Sequence, residues 1–175
     1  MMGMLQAGGI EPVVDNLRQA DEDNPKGYFE FERVKQLKKD TSWLADAKGR
    51  LVKVISQLLY DLPPTYPYRI VFLRRNMDEI LASQRQMLIR KGTQKDDGVA
   101  DAEMAKILET HVAQVLKWVA VQPNIELLEA DYNEILKDAR AHIDRLSEFL
   151  GGGLDVSAMA AAVDKALYRQ RQAGS

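Results

Sequence analysis

The segment Tyr68-Arg69-Ile70-Val71-Phe72-Leu73-Arg74-Arg75-Asn76-Met77-Asp78-Glu79-Ile80-Leu81-Ala82-Ser83 constrains the fold more than any other part of the chain. Its first half is a β-rich apolar run, bounded upstream by Pro63, Pro64 and Pro67. Such a run predicts a strand buried in a sheet. Its second half predicts a helix, with Asn76 as N-cap, Glu79 three residues on as the partner of a capping box, and acids in the first turn. Arg74 and Arg75 therefore sit where a strand ends and a helix begins, the edge at which open α/β sheets bind ligands. Ser83 follows Arg75 by two helical turns. A guanidinium fork and a hydroxyl held on rigid elements suit a doubly charged phosphate. The same residues are also compatible with a plain strand–helix junction whose arginines are solvated.

The remaining pattern alternates strands with helices. Leu51-Val52-Lys53-Val54-Ile55, after Gly49, predicts a parallel strand, and Ile125 to Glu129 predicts another. Residues 77–91 predict a helix with Met77, Ile80, Leu81, Met87 and Leu88 on one face. A longer helix is expected from Asp101 to Val121, with Met104, Ile107, Leu108, Val112, Val115, Leu116 and Val119 at helical spacing. Ile135, Leu136, Ala139, Ile143, Leu146 and Leu150 repeat in the same way and stop at Gly151. Short helical pieces are expected over residues 1–7, near 31–39 and over 42–47, with polar breaks at 21–27 and 92–98 and an alanine-rich helix in the tail from Leu154 to Ser175. This order implies an α/β fold, three layers deep, around a mainly parallel sheet.

At 175 residues the chain predicts one domain with a sizeable core. Lys and Arg total 24 against 26 for Asp and Glu, a formal charge of −2. That balance argues against nucleic acid as a partner. Cysteine is absent, so disulfides and thiolate metal sites are excluded. No apolar run approaches the roughly 18 residues of a membrane span. Residues 1–7 lack the basic flank of a signal peptide. A cytoplasmic protein without a membrane partner is the expectation. The sequence leaves its oligomeric state open.

Arg75 and Ser83 resemble the 3′-phosphate-binding segment of the sulfotransferase family, where an arginine at a strand end and a serine eight residues later grip the 3′-phosphate of PAPS (3′-phosphoadenosine 5′-phosphosulfate). A second match runs from Tyr132 to Gly151, where a strand, a tyrosine and a helix ending in Phe149-Leu150-Gly151 are similar to the family pattern. The chain has Asp131-Tyr132-Asn133 where Tyr-Glu-Asp is commoner. Asn24-Pro25-Lys26-Gly27-Tyr28, followed by Phe29 and Glu30, is similar to a stretch beside the acceptor pocket of bacterial members.

The resemblance implies a P-loop NTPase-like fold and sulfuryl transfer from PAPS, with no metal, to a hydroxyl or amine on a small-molecule or glycan acceptor. It assigns Arg75, Ser83 and Tyr132 to the cofactor, and Glu30 and Glu32 as candidate bases that take the acceptor's proton. Residues 1–7 look like the helix that follows the family's phosphate-binding loop, but neither that loop nor any GxxxxGK[ST] pattern occurs in the sequence. The expectation is therefore an N-terminally truncated sulfotransferase-like domain with little or no turnover. The alternative is a non-catalytic α/β module that binds a nucleotide or a partner. A nucleotide kinase relative would need a phosphate loop and magnesium ligands that the sequence lacks.

Other candidates read more plainly. Lys53 is expected at a strand end or near the transferring group. His111 and His142 lie on or beside apolar helix faces with no third ligand spaced for zinc. Trp43 and Trp118 are expected in packing. Arg169 and Arg171 are expected in a solvated tail, or closing over the cofactor.

Overall fold

The structure, a computed structural model, describes residues 1–18, 20–21, 27–90 and 101–163. Two parallel strands form its centre, β1 (Tyr68–Arg74) and β2 (Ile125–Asp131), in register from Tyr68 opposite Ile125 to Arg74 opposite Asp131. The helices are α1 (Met2–Ala7), α2 (Met77–Arg90), α3 (Asp101–Val119), α4 (Tyr132–Lys137), α5 (Ala139–Phe149) and α6 (Val156–Ala162). Three short 3-10 helices, Glu32–Gln36, Ser42–Leu44 and Ser56–Asp61, occupy the segment before β1. The protein is α/β, as its alternating pattern predicts.

Side-chain alternation divides the sheet between two cores. Ile70 and Phe72 of β1 and Ile125 and Leu127 of β2 pack against Val115 and Val119 of α3 and Leu59 of the third 3-10 helix. On the opposite face, Val71, Leu128 and Ala130 meet Met4 and Leu5 of α1, Ile143 and Leu146 of α5, and Met159 of α6. Helices thus cover both faces, the condition under which a parallel pair can persist. A third cluster, Val34, Leu37, Trp43 and Leu44, sits under the 3-10 helices. Among the described residues no helix is long and apolar enough to cross a membrane.

The predicted strand at Leu51–Ile55 is corrected. Only Leu51 pairs, in an isolated parallel bridge with Pro12, through Val13 N–H to Leu51 O (2.9 Å) and Leu51 N–H to Glu11 O (2.9 Å). The next rung would take the Asp15 N–H, but that group donates to Glu30 O at 3.3 Å, so the ladder ends after one step. The predicted helix over 135–150 is interrupted as well. Asp138 adopts an extended conformation (φ −138°, ψ 93°) and its carboxylate caps α5 by accepting from Arg140 N–H. On α2, Leu81 is buried as expected, whereas Leu88 and Ile89 are exposed. The expected breaks at 21–27 and 92–98, most of the tail, and Arg169 and Arg171 lie wholly or largely outside the described residues.

A helix as short as α1 is marginal alone. Here Gly8 allows it to dock: a Cβ at Gly8 would lie 2.7 Å from Met159 Cγ, and Gly8 O accepts from Asp155 N–H at the start of α6. Gly9 then turns the chain at φ +104°, a conformation costly for any side chain.

Candidate functional site

Register builds the site. Because Arg74 is opposite Asp131, the next residues, Arg75 and Tyr132, emerge side by side at the carboxyl edge of the sheet as both strands turn into helices. The guanidinium carbon of Arg75 lies 5.0 Å from the centroid of the Tyr132 ring, a cation–π distance. Asp131 caps α4 by accepting from the N–H groups of Asn133 and Glu134, and thereby fixes where Tyr132 starts. Asn76 caps α2 as predicted, its Oδ1 accepting from Asp78 N–H at 2.9 Å.

Glu79 does not complete the predicted capping box. Its carboxylate is only 3% exposed and accepts from Arg75 Nε (3.0 Å) and from Asn133 Nδ2 (2.9 Å). A buried carboxylate needs compensating donors, and the nearest cation supplies one of them. This arrangement uses Nε of Arg75. Nη1 and Nη2 donate to no described residue and remain a two-pronged donor at the sheet edge. Burial raises the Tyr132 hydroxyl pKa above its ordinary value, an effect that Arg75 opposes and Glu79 reinforces. The ring therefore stays neutral, an apolar wall for the guanidinium.

Ser83 stands one helical turn beyond Glu79 on the same side of α2 and is partly buried. The structure thus brings Arg75 and Tyr132 together, with Ser83 farther along the same helix face. The side chain that Arg75 bonds is Glu79. Sequence reasoning missed Glu79 and Asn133 as members of the site. The signal available was the i, i+4 spacing of Arg75 and Glu79, which favours an ion pair.

Glu30 and Glu32 belong elsewhere. Glu30 Oε1 lies 3.3 Å from Arg18 Nη1 and 3.4 Å from Lys53 Nζ, in a second cluster where Arg18 stacks on the Tyr28 ring at 3.3 Å. Lys53 also donates to Tyr28 O at 2.9 Å, so its place is in this cluster. Asp15 ties the segment down by accepting from Glu32 N–H at 2.6 Å. That bond, followed by one from Leu17 N–H, lowers the Asp15 carboxyl pKa. The Glu32 carboxylate pairs with Lys35 at the surface, at 2.6 Å. Of the two candidate bases, Glu30 is the more shielded, its side chain 24% exposed against 44% for Glu32.

Trp43 packs edge-on against Phe31, and Trp118 packs against Tyr60, as expected of core-building rings. His111 is partly buried on α3 and also makes a polar contact. Its Nε2 is 2.9 Å from Ser56 Oγ. Among the described residues no three His, Asp or Glu side chains gather as a metal site. No protein-family model, curated protein or solved structure matches the chain.

Proposed function

We propose that this chain is a sulfotransferase-like domain, a P-loop NTPase-like α/β sandwich, that recognises the 3′-phosphate of PAPS. In this reading the two terminal nitrogens of Arg75 take two phosphate oxygens, the Ser83 hydroxyl takes a third, and Tyr132 flanks the adenosine. One observation carries the proposal: Glu79 and Tyr132 hold the Arg75 guanidinium at the sheet edge with both terminal nitrogens unbonded among the described residues. A preorganised fork avoids the entropy of ordering a long side chain on binding.

The reaction class is in-line sulfuryl transfer to a hydroxyl or amine of a small-molecule or glycan acceptor. The protein's part in such a transfer is positioning and charge stabilisation. Glu30, beside Lys53, is the proposed proton acceptor in preference to the surface-paired Glu32. The sequence has no GxxxxGK[ST] loop for the 5′-phosphate, which favours the second reading, a module that binds nucleotide without turnover.

Calorimetry separates specific from nonspecific recognition. The 3′-phosphate should make adenosine 3′,5′-bisphosphate bind at least tenfold tighter than adenosine 5′-monophosphate. Equal affinities would remove the basis of the proposal. Where the preference is present, single-turnover assays with labelled PAPS distinguish transferase from binding module.

A further inference from the structure

We propose that Ser56 and His111 form a nucleophile–base pair that hydrolyses small esters, an activity independent of nucleotide recognition. The fold, and not chance proximity of mobile side chains, sets this pair. Leu59 of the third 3-10 helix packs against Val115 of α3. Ser56 precedes Leu59 by three residues, one turn of a 3-10 helix, and His111 precedes Val115 by four, one turn of an α-helix. The same interface that buries Leu59 on Val115 therefore brings Ser56 to His111 one turn away, with Oγ and Nε2 at 2.9 Å. That is the hydrogen-bond reach required of a serine and its base.

Two further features suit acyl transfer. Ile55 is extended (φ −78°, ψ 148°) and Ser56 opens a helical turn, so the hydroxyl sits on a sharp change of backbone direction, where nucleophilic serines gain access to substrate. His111 borders an open space of about 510 Å³ along one side of α3, which Glu103, Lys106, Ile107, Thr110 and Gln114 also line and which Ser56 adjoins only through His111. Ile107 offers an apolar wall for a short acyl chain, and Glu103 and Lys106 contribute opposite charges beside it.

In the first step Ser56 Oγ bonds to the ester carbonyl carbon while His111 Nε2, in the tautomer with hydrogen on Nδ1, accepts the hydroxyl proton. The tetrahedral carbon then expels the alkoxide, which leaves as an alcohol with the proton from Nε2. Water adds to the acyl-serine by the same proton path, releasing a carboxylic acid and restoring Ser56.

The test treats the full folded chain with a fluorophosphonate probe, maps adducts by peptide mass spectrometry, and follows hydrolysis of p-nitrophenyl butyrate. The expected result is an adduct concentrated at Ser56, with labelling and hydrolysis reduced about 10²-fold or more in His111→Gln, the loss of a general base. Ser56→Ala should hydrolyse the ester no faster than buffer. Labelling of wild-type Ser56 no greater than that of Ser42 or Ser83 would overturn the proposal without reference to any variant. So would unchanged labelling in a folded His111→Gln.

Discussion

Holding a carboxylate at 3% exposure is costly unless donors meet it, and Glu79 has Arg75 and Asn133. Arg75 therefore has two duties, and removing it disturbs both. Arg75→Ala leaves a buried charge unpaired and should lower unfolding free energy by about 3–5 kcal/mol, read by urea denaturation. Adding Glu79→Gln to that variant should restore part of the loss, because the unpaired charge goes with it. A simple loss of packing would leave the double variant no better than the single one. For the same reason Arg75→Lys, which keeps the charge and loses the fork, is the cleaner probe of phosphate recognition.

Tyr68, at the start of β1, offers an independent residue-scale check. Its hydroxyl donates to Pro63 O at 3.0 Å, and burial, reinforced by Tyr66, pushes its pKa up to about 12. The folded state thus favours the neutral phenol. This contribution is complete below the unfolded tyrosine value of about 10 and is lost as pH rises through the folded value of about 12. Absorbance titration at alkaline pH should show Tyr68 ionising after ordinary tyrosines, and Tyr68→Phe should delete that last phase. Ionisation of all tyrosines together near pH 10 in the folded protein would contradict the burial.

At the level of elements, much of the fold is legible in the sequence. The β-branched run through Ile70 and Val71, and the residues Ile125 to Glu129, mark β1 and β2. Asn76 marks the start of α2, and the stripe containing Val115 and Val119 marks α3. What fails depends on partners distant in sequence. Leu51–Ile55 has strand composition, yet a strand exists only where another backbone continues the ladder, and Asp15 N–H is committed to Glu30 O. Asp138 interrupts an apolar period that reads as continuous, because a cap is a local hydrogen bond that periodicity does not report.

The candidate site divides along the same line. Arg75 and Tyr132 are legible as residue types just past strand ends, and Ser83 as a hydroxyl two turns into the helix that follows. The Glu79–Asn133 contact is not, since it exists only once β1 and β2 pair in register. Gly8→Ala would drive a methyl into Met159, and overpacking of this kind costs about 1–3 kcal/mol. The Tm should fall, and Met159→Ala should relieve much of the added clash in the double variant. An unchanged Tm in Gly8→Ala would show that α1 and α6 approach less closely than described.

Over the whole molecule, stability should be graded. The sheet pair lies between two apolar cores, whereas residues 31–47 rely on 3-10 turns and a smaller cluster. Native-state hydrogen exchange is expected to be slowest for amides of β1, β2 and the Val115–Val119 turn of α3. It should be faster over residues 32–47, which open without global unfolding. Uniform exchange across both regions would indicate one cooperative unit. That result would put the carboxyl edge on the slowest-exchanging part of the described residues, where a binding fork is best held rigid.

Nucleotide recognition is tested most directly by isothermal calorimetry of the Arg75→Lys variant beside the wild type, titrating each with adenosine 3′,5′-bisphosphate and adenosine 5′-monophosphate. The expected result is a clear preference for the bisphosphate in the wild type that falls to near unity in the variant, whose fold and Tm stay close to wild type. A preference of the same size in both proteins, or none in the wild type, would contradict a ribose 3′-phosphate held by Arg75.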